Sequence, residues 1–196
     1  MSTLRLYSVS DRYISYLRQD KRLQNVFDNK AEIRTHTRKY LGVVFSNGDY
    51  DYFVPFSSPK ESDYIIKADG TKEIRKSIIP IVRMVTKDTV SGQPELKGTL
   101  KLNNMIPVPE SELTPYDIAQ ESDVNYRQIV RKEWQFIRSN RGKILKNAQV
   151  IYRQKTNYAT LYATHPAPGY LSNTIDFQYA EERCNAFVAA LKTKQT

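Results

Sequence analysis

The chain has 196 residues, of which 40% are hydrophobic, and this is enough to build one domain with a sizeable core. It contains no run of about 18 apolar residues, and residues 1–5 lack the apolar core of a signal peptide. The single cysteine, Cys184, cannot form an internal disulfide, so its expected role is packing in a reducing compartment. These features argue against membrane and secreted classes. We expect one cytoplasmic domain spanning residues 1–196.

Positive charge is concentrated in one part of the sequence. The net charge is +9, and residues 127–155 contain nine basic residues against the single acidic residue Glu133. A surface this basic favours a polyanionic partner, because neutralising phosphates releases counterions. The chain also has 14 tyrosines and seven phenylalanines, which favours unpaired RNA bases as stacking partners. The alternative is a solvated helix in a generally basic protein.

The first half of the chain is predicted to be mostly strands. The clearest local signal is Asn47-Gly48 between two alternating segments, since this dipeptide suits the positive φ of a tight hairpin. We expect residues 64–67 to pair with residues 78–86, and residues 87–96 to form a loop. Residues 20–39 are polar and aperiodic, which indicates an irregular segment. The predicted strands are residues 4–8, 40–45, 50–56, 64–67, 78–86, 98–102 and 105–108.

The second half is predicted to be helical. Asp123 begins a helix with one apolar stripe at spacings of three and four residues, namely Tyr126, Ile129, Val130, Trp134 and Ile137. The opposite side carries basic residues and is free to contact RNA. Residues 158–171 are predicted to be a loop, and Asn173 or Thr174 to cap the last helix. Helices are expected over residues 11–19 with Ser10 as N-cap, 123–139, 143–155 and from 173 or 174 to about 192.

Strands followed by helices, without strand–helix alternation, predict an α+β fold. We expect a twisted, mostly antiparallel β-sheet flanked by helices, with a helical C-terminal half.

A hydroxyl-rich loop follows the second hairpin strand. Tyr50 to Pro55 alternates as a half-buried strand does, and Ser57-Ser58-Pro59-Lys60 then interrupts it. Pro59 fixes its own φ and favours an extended Ser58. Two hydroxyls and a cation in a restricted geometry suit an anionic group such as a phosphate. The alternative is an ordinary turn, because serine, proline and lysine are common in loops.

Several segments together resemble a known family. Residues 53–60 and the preceding Lys39-Tyr40-Leu41-Gly42-Val43-Val44-Phe45 resemble the ToxN/AbiQ endoribonuclease toxins of bacterial type III toxin–antitoxin systems. Further similarity lies in residues 13–17, 103–107 and 126–143, in the same order and spacing. The resemblance implies a twisted antiparallel sheet flanked by helices.

The resemblance also implies an activity and partners. These are metal-independent RNA cleavage without a cofactor, giving 2′,3′-cyclic phosphate and 5′-hydroxyl ends, and inhibition by a small pseudoknotted repeat RNA. It further implies closed rings of alternating toxin and RNA, and phage defence by abortive infection. The substrates would be cellular or phage RNA in the bacterial cytoplasm, with no membrane involved.

The resemblance places the active centre at positions matching Ser57, Ser58 and Lys60. Lys60 would stabilise charge on the phosphate, and the two serines would orient it. Tyr13 matches a family position at the cleavage site, although its helical spacing favours a core position. Arg38 resembles a family lysine near the scissile phosphate, and Arg34 or a neighbour stands where the family has a tyrosine. His36 is a weaker candidate.

The antitoxin RNA is expected to bind the basic helical face. Tyr126 is expected to position a nucleotide there or at the cleavage site. The RNA-binding candidates are Tyr126, Arg127, Arg131, Lys132, Arg138, Arg141, Lys143 and Lys146.

Other chemistries have less support in the sequence. Two distant histidines and one cysteine form no recognisable zinc site, and the glycines form no phosphate-binding motif. Ser57 and Lys60 have the Ser-x-x-Lys spacing of acyl-serine hydrolases, but the companion motifs are absent. The main alternative to a ribonuclease is a non-catalytic RNA-binding module, in which Ser58 and Lys60 only contact phosphate. A structural or protein-binding domain would leave the concentrated charge unexplained.

Overall fold

The computed structural model describes residues 4–29, 36 and 38–193. Every strand pairing in this part of the chain is antiparallel. The strands are β1 Arg5–Val9, β2 Tyr40–Asn47, β3 Tyr50–Ser57, β4 Tyr64–Ile66, β5 Lys72–Ile74, β6 Ile81–Lys87, β7 Pro94–Lys101, β8 Ile106–Pro107 and β9 Leu113–Pro115.

The main sheet is organised around β3. Its strand order is β6-β7-β3-β2-β1-β9, and β8 also pairs with β3. The predicted β2–β3 hairpin is confirmed, and Gly48 at its turn has a φ of 57°, a value that glycine adopts without steric cost. Near its end β3 pairs with β7, where Ser57 lies opposite Thr99. The strand therefore delivers Ser57 to Lys60 at the margin of the sheet.

One predicted strand pairing is wrong. Residues 64–66 pair with residues 72–74 as a separate small hairpin, and β6 pairs instead with β7. The turn at Gly70 is short enough to close locally, with the Lys67 N–H donating to the Thr71 carbonyl at 2.9 Å. The predicted loop 87–96 is similarly only a tight turn, which Asp88 closes by accepting hydrogen bonds from the N–H groups of Val90 and Ser91.

The four predicted helices are all present close to their expected positions, as α1, α2, α3 and α5. Ser10 caps α1 through the Tyr13 N–H, and Asp123 caps α2 through the N–H groups of Asn125 and Tyr126. Side-chain oxygens at these positions satisfy donors that the helix leaves unpaired. The helices of the described residues are α1 Asp11–Arg18, α2 Val124–Ser139, α3 Arg141–Thr156, α4 Tyr158–Leu161 and α5 Phe177–Thr193.

The C-terminal segment differs from the expectations in two places. Asp176, rather than Asn173 or Thr174, caps α5 through the Tyr179 N–H. The predicted loop 158–171 contains the single-turn helix α4 and a 3-10 turn over residues 169–171. Both corrections concern local hydrogen bonds, which several neighbouring polar residues are equally able to make.

Most of the predicted apolar stripe of α2 faces the core, with Val130 and Ile137 buried and Tyr126 and Trp134 packed against it, but the buried face departs from the prediction at two positions. Ile129 is 36% exposed, whereas Glu133 is buried against β6 and β7 with Val130 and Ile137. Burial raises the pKa of Glu133 to about 8, against a lowering influence of Lys97. Gly98 makes room for this carboxyl group, because a Cβ there would overlap Glu133 Oε1. α2 therefore packs a buried carboxyl group against a glycine in the sheet.

The described residues share one hydrophobic core cluster between the sheet and the helices. The predicted α+β class, with a mostly antiparallel sheet and a helical second half, is confirmed. Among residues 4–29, 36 and 38–193, no helix is both long and apolar enough to cross a bilayer. The interpretation of residues 1–196 as a single domain stays a prediction.

Candidate active site

The loop that contains Ser57, Ser58, Pro59 and Lys60, here called the 57–60 loop, continues directly from β3. Ser57 is buried, whereas Ser58 and Lys60 are exposed. The Ser57 hydroxyl donates to the Ser58 carbonyl at 3.3 Å, and Thr99 Oγ1 donates to the Ser57 carbonyl at 3.4 Å. Ser57 therefore fixes the backbone, while Ser58 and Lys60 present their side chains to solvent.

Asp63 holds the far end of the loop. Its Oδ2 accepts a hydrogen bond from the Lys60 N–H at 3.0 Å, and the Asp63 N–H donates to the Lys60 carbonyl at 2.9 Å. These two bonds close a 3-10 turn over Glu61–Asp63. Together with Pro59 they restrict the backbone that carries the Lys60 ammonium group. Preorganised cations of this kind stabilise developing negative charge more effectively than mobile ones.

Asp63 is only 1% exposed and lies among cations. Its Oδ1 is 3.0 Å from Arg83 Nη2 and 4.0 Å from Lys101 Nζ. Burial lowers the pKa of Lys101, the Asp63 carboxylate opposes this, and the positive charges of Arg83 and Lys60 lower it further. Two buried cations thus share one carboxylate next to the 57–60 loop, and the positive charge of Lys60 is close enough to influence Lys101. This excess of positive charge favours an anionic ligand.

Arg38 lies beside the loop, as predicted, but its guanidinium group is buried. Nη1 donates to the carbonyl of Phe56, the residue before Ser57, and Nε and Nη2 donate to the Asp28 carbonyl at 3.3 Å. The group also lies 4.6 Å from the centre of the Phe27 ring. These contacts join Arg38 to the end of β3. The sequence-based expectation that Arg38 acts near the scissile phosphate stays a prediction.

Tyr13 is a core residue in this structure. Its side chain is fully buried, its hydroxyl donates to the Pro107 carbonyl at 2.8 Å, and its ring packs edge-on against Phe187. Burial raises the pKa of Tyr13 well above its usual value. The core position indicated by the helical spacing is therefore the one observed. The expectation that Tyr13 contacts RNA at the cleavage site does not agree with this burial.

An aromatic and charged cluster lies between the start of β2 and the start of α2. The rings of His36 and Tyr126 stack with centroids 3.9 Å apart, and His36 Nε2 is 3.3 Å from Asp123 Oδ2. Lys39 Nζ lies 4.0 Å from the centre of the Tyr116 ring. The Lys39 carbonyl accepts from the Phe56 N–H at 2.9 Å, so this cluster adjoins the end of β3. Lys39 is thus the residue that links this cluster to the end of β3. Arg34 lies outside the described residues.

The seven basic residues of α2 and α3 that were predicted to bind RNA divide into two groups. Arg131, Arg138, Lys143 and Lys146 are exposed, as expected for an RNA-binding face. The other three are partly buried, and one of them, Arg127, donates through Nη1 to the Glu121 carbonyl at 3.1 Å. The partly buried residues are Arg127, Lys132 and Arg141.

The sequence-based reasoning missed the residues that support the loop. Asp63 and Arg83 are 20 residues apart and Lys101 is 18 residues further on, so no local motif joins them. Lys39 was noted at the start of a segment that resembles the family, and its burial, which lowers its pKa against an opposing influence of Glu121, was not predicted. The signal that the sequence offered for these residues was a charged side chain within or next to a predicted strand, because a charge that is buried there requires a partner. The described part of the chain contains no group of three or more histidine, cysteine or acidic residues arranged to hold a metal ion.

Comparison with known proteins identifies the family. Residues 5–185 match the model of toxin ToxN of type III toxin–antitoxin systems. The chain belongs to the ToxN toxin family. The predicted family and class of enzyme, an endoribonuclease, are thus confirmed. One relative is endoribonuclease AbiQ of Lactococcus lactis subsp. lactis, which is 30% identical over 94% of this chain and 90% of its own length.

Two solved structures from work on type III toxin–antitoxin systems share the fold. One, from work on selective toxin inhibition by a non-coding RNA pseudoknot, is 26% identical with a TM-score of 0.71, covering 95% of this chain and 98% of its own. The other is AbiQ, described as a lactococcal anti-phage endoribonuclease, also 26% identical with a TM-score of 0.71. That match covers 96% of this chain and 99% of AbiQ.

Proposed function

We propose that this ToxN-family protein cleaves RNA at the 57–60 loop by attack of a ribose 2′-hydroxyl on the adjacent phosphorus. The O2′–P bond forms while the P–O5′ bond breaks, a base takes the 2′-hydroxyl proton, and an acid supplies a proton to O5′. The products are a 2′,3′-cyclic phosphate and a 5′-hydroxyl. The substrate supplies the nucleophile, so the protein has only to align it and stabilise charge.

The observation that carries this proposal is the position of Lys60. Its exposed ammonium group is carried by a backbone that Pro59 and Asp63 restrict, beside the buried cations Arg83 and Lys101. Lys60 contacts the non-bridging oxygens and Ser58 donates a hydrogen bond to the same phosphate. Ser57 supports the loop from the buried side. None of these roles requires a metal ion or a cofactor.

The test is cleavage of a mixed-sequence RNA in the presence of EDTA, with the chemistry of the new ends mapped. The proposal expects cuts with 2′,3′-cyclic phosphate and 5′-hydroxyl termini. Binding without cuts would favour the non-catalytic RNA-binding module. Cuts that disappear in EDTA would contradict a metal-independent mechanism.

We also propose that a pseudoknotted repeat RNA inhibits the protein by binding the exposed basic face of α2 and α3. Arg131, Arg138, Lys143 and Lys146 lie on that face, and the related toxin described above is inhibited by a non-coding RNA pseudoknot. Repeats that bind one toxin and reach the next would form closed rings of alternating toxin and RNA. The mass of the purified complex, measured by light scattering, tests for rings. Once infection releases the toxin from this RNA, the free toxin would cut cellular or phage RNA and so abort the infection.

A further inference from the structure

A groove lies between the β4–β5 hairpin and strand β6, on a part of the surface distinct from α2 and α3. Its volume is about 670 Å³, and five basic side chains line it against one acidic side chain, Glu73. Among the described residues that line it there is no aromatic ring. The basic residues of the groove are Lys67, Lys72, Arg75, Lys76 and Arg83.

The groove is joined to the 57–60 loop through Asp63. Arg83 lines the groove and pairs with Asp63, whose other carboxylate oxygen accepts from the Lys60 N–H. The Asp63 carbonyl in turn accepts from the Arg75 N–H at 2.9 Å. The loop and the groove wall therefore share one buried carboxylate. The basic groove therefore adjoins the 57–60 loop.

The exposed cations of the groove are available to a ligand, because two of them form only exposed ion pairs and two others form none among the described residues. Lys67 pairs with Glu73 at 3.1 Å and Lys72 pairs with Glu61 at 2.9 Å, and all four side chains are more than half exposed. Exposed pairs of this kind contribute little to stability and exchange readily. Arg75 and Lys76 are exposed and have no carboxylate partner among the described residues.

We infer that this groove binds the phosphate backbone of single-stranded RNA that extends from the cleavage site. The inference rests on the proposed function for the identity of the ligand. Cations bind phosphates irrespective of base, whereas sequence is recognised through base edges and stacking on rings. A basic groove without aromatic residues therefore adds affinity and leaves base preference unchanged. It is a substrate subsite that holds the strand while the 57–60 loop acts on one phosphate.

Binding of a mixed-sequence oligonucleotide with 2′-O-methyl groups tests this inference. Such RNA lacks the attacking hydroxyl, so its affinity is measured independently of cleavage. Arg75→Gln/Lys76→Gln should weaken binding of this RNA. Each lost phosphate contact lowers the magnitude of the slope of log Kd against log salt concentration by about 0.7, so the double variant should lower it by about 1.4. Lys76→Gln alone should lower it by about 0.7. The control Arg5→Gln/Lys21→Gln removes two exposed charges elsewhere and should leave the slope unchanged.

Arg75 also supports the β4–β5 hairpin, because its Nε donates to the Tyr64 carbonyl at 3.0 Å. If loss of this bond disturbs the hairpin, Lys76→Gln alone still tests the inference. Lys76 contributes only its carbonyl to the described bonds, which accepts from Arg83 Nη1 at 2.8 Å. An unchanged slope in Lys76→Gln, or equal losses in the groove and control variants, would overturn the inference. On unmodified RNA the cut positions should stay the same, and altered positions would overturn the claim of backbone recognition. Groove-dependent binding without cleavage by the parent would contradict only the proposed function.

Discussion

Lys60 and Asp63 are joined by two reciprocal hydrogen bonds, one from the Lys60 N–H to Asp63 Oδ2 at 3.0 Å and one from the Asp63 N–H to the Lys60 carbonyl at 2.9 Å. The same carboxylate pairs with buried Arg83. An exposed lysine in the candidate active site is thus positioned by a buried ion pair. Stability and activity are therefore expected to depend on the same residue.

Asp63→Asn should reduce both quantities. The substitution leaves Arg83 and Lys101 buried without a compensating charge, and breaking a buried pair in this way costs about 3 to 5 kcal/mol. We expect a lower free energy of unfolding in urea and slower RNA cleavage under conditions where the variant is folded. Asp69→Asn, at an exposed turn of the neighbouring hairpin, is the matched control and should change neither. Full activity in folded Asp63→Asn would show that the loop does not need this support.

Tyr13→Phe separates a core role from a catalytic role. The variant loses the hydrogen bond to the Pro107 carbonyl, so we expect a loss of about 1 kcal/mol in the free energy of unfolding and nearly unchanged cleavage. Tyr40→Phe, which removes another buried hydroxyl, serves as the comparison. A drop of about a hundredfold in cleavage rate with normal stability would indicate that the Tyr13 hydroxyl reaches the RNA.

Glu133→Gln should make the protein more stable at alkaline pH. Burial raises the pKa of Glu133 to about 8, above the value of about 4.3 in an unfolded chain. An acid whose folded pKa is raised opposes folding increasingly as pH rises from its unfolded pKa to its folded pKa. The variant should therefore unfold at higher urea than the parent at pH 8.5, with a much smaller difference at pH 4. Glu182→Gln, on the exposed side of α5, should show no such dependence, and equal behaviour of the two variants would contradict the burial of Glu133.

Reversing charge on α2 should weaken binding of the antitoxin RNA. Arg131→Glu/Arg138→Glu replaces two exposed cations with two anions on the proposed antitoxin face, so we expect at least about a tenfold rise in Kd for a pseudoknotted repeat, largest at low salt. Filter binding with the cognate RNA measures this effect. Unchanged affinity would place the antitoxin on another surface.

The features that sequence predicted well depend on local chemistry. The β2–β3 hairpin follows from Asn47-Gly48, and the starts of α1 and α2 follow from the caps Ser10 and Asp123. Each of these signals acts within a few residues, so the pattern suffices to locate it. The position of Ser58 and Lys60 at a strand end was predictable for the same reason.

The features that sequence did not predict depend on partners far apart in the chain. Residues 64–67 were paired with the wrong strand because several short apolar segments compete for one partner. Asp63, Arg83 and Lys101 meet only when β3, β6 and β7 assemble, so their contribution to the site has no local pattern. Glu133 lies where the α2 stripe predicts an apolar residue, and only the glycine at position 98 of β7 accounts for it.

Single-turnover cleavage of one RNA in EDTA, compared between the parent, Lys60→Ala and Ser58→Ala, tests the central claim most directly. Loss of a group that stabilises transition-state charge costs about 10²- to 10³-fold in rate, so we predict a loss of this size in Lys60→Ala. Ser58→Ala should lose about tenfold or more, the equivalent of a hydrogen bond of ~1.4 kcal/mol. Lys87→Ala, an exposed lysine at the end of β6, should cleave as the parent does. Cleavage by Lys60→Ala at the parent rate, with the same cut positions and ends, would contradict the assignment of the active site to this loop.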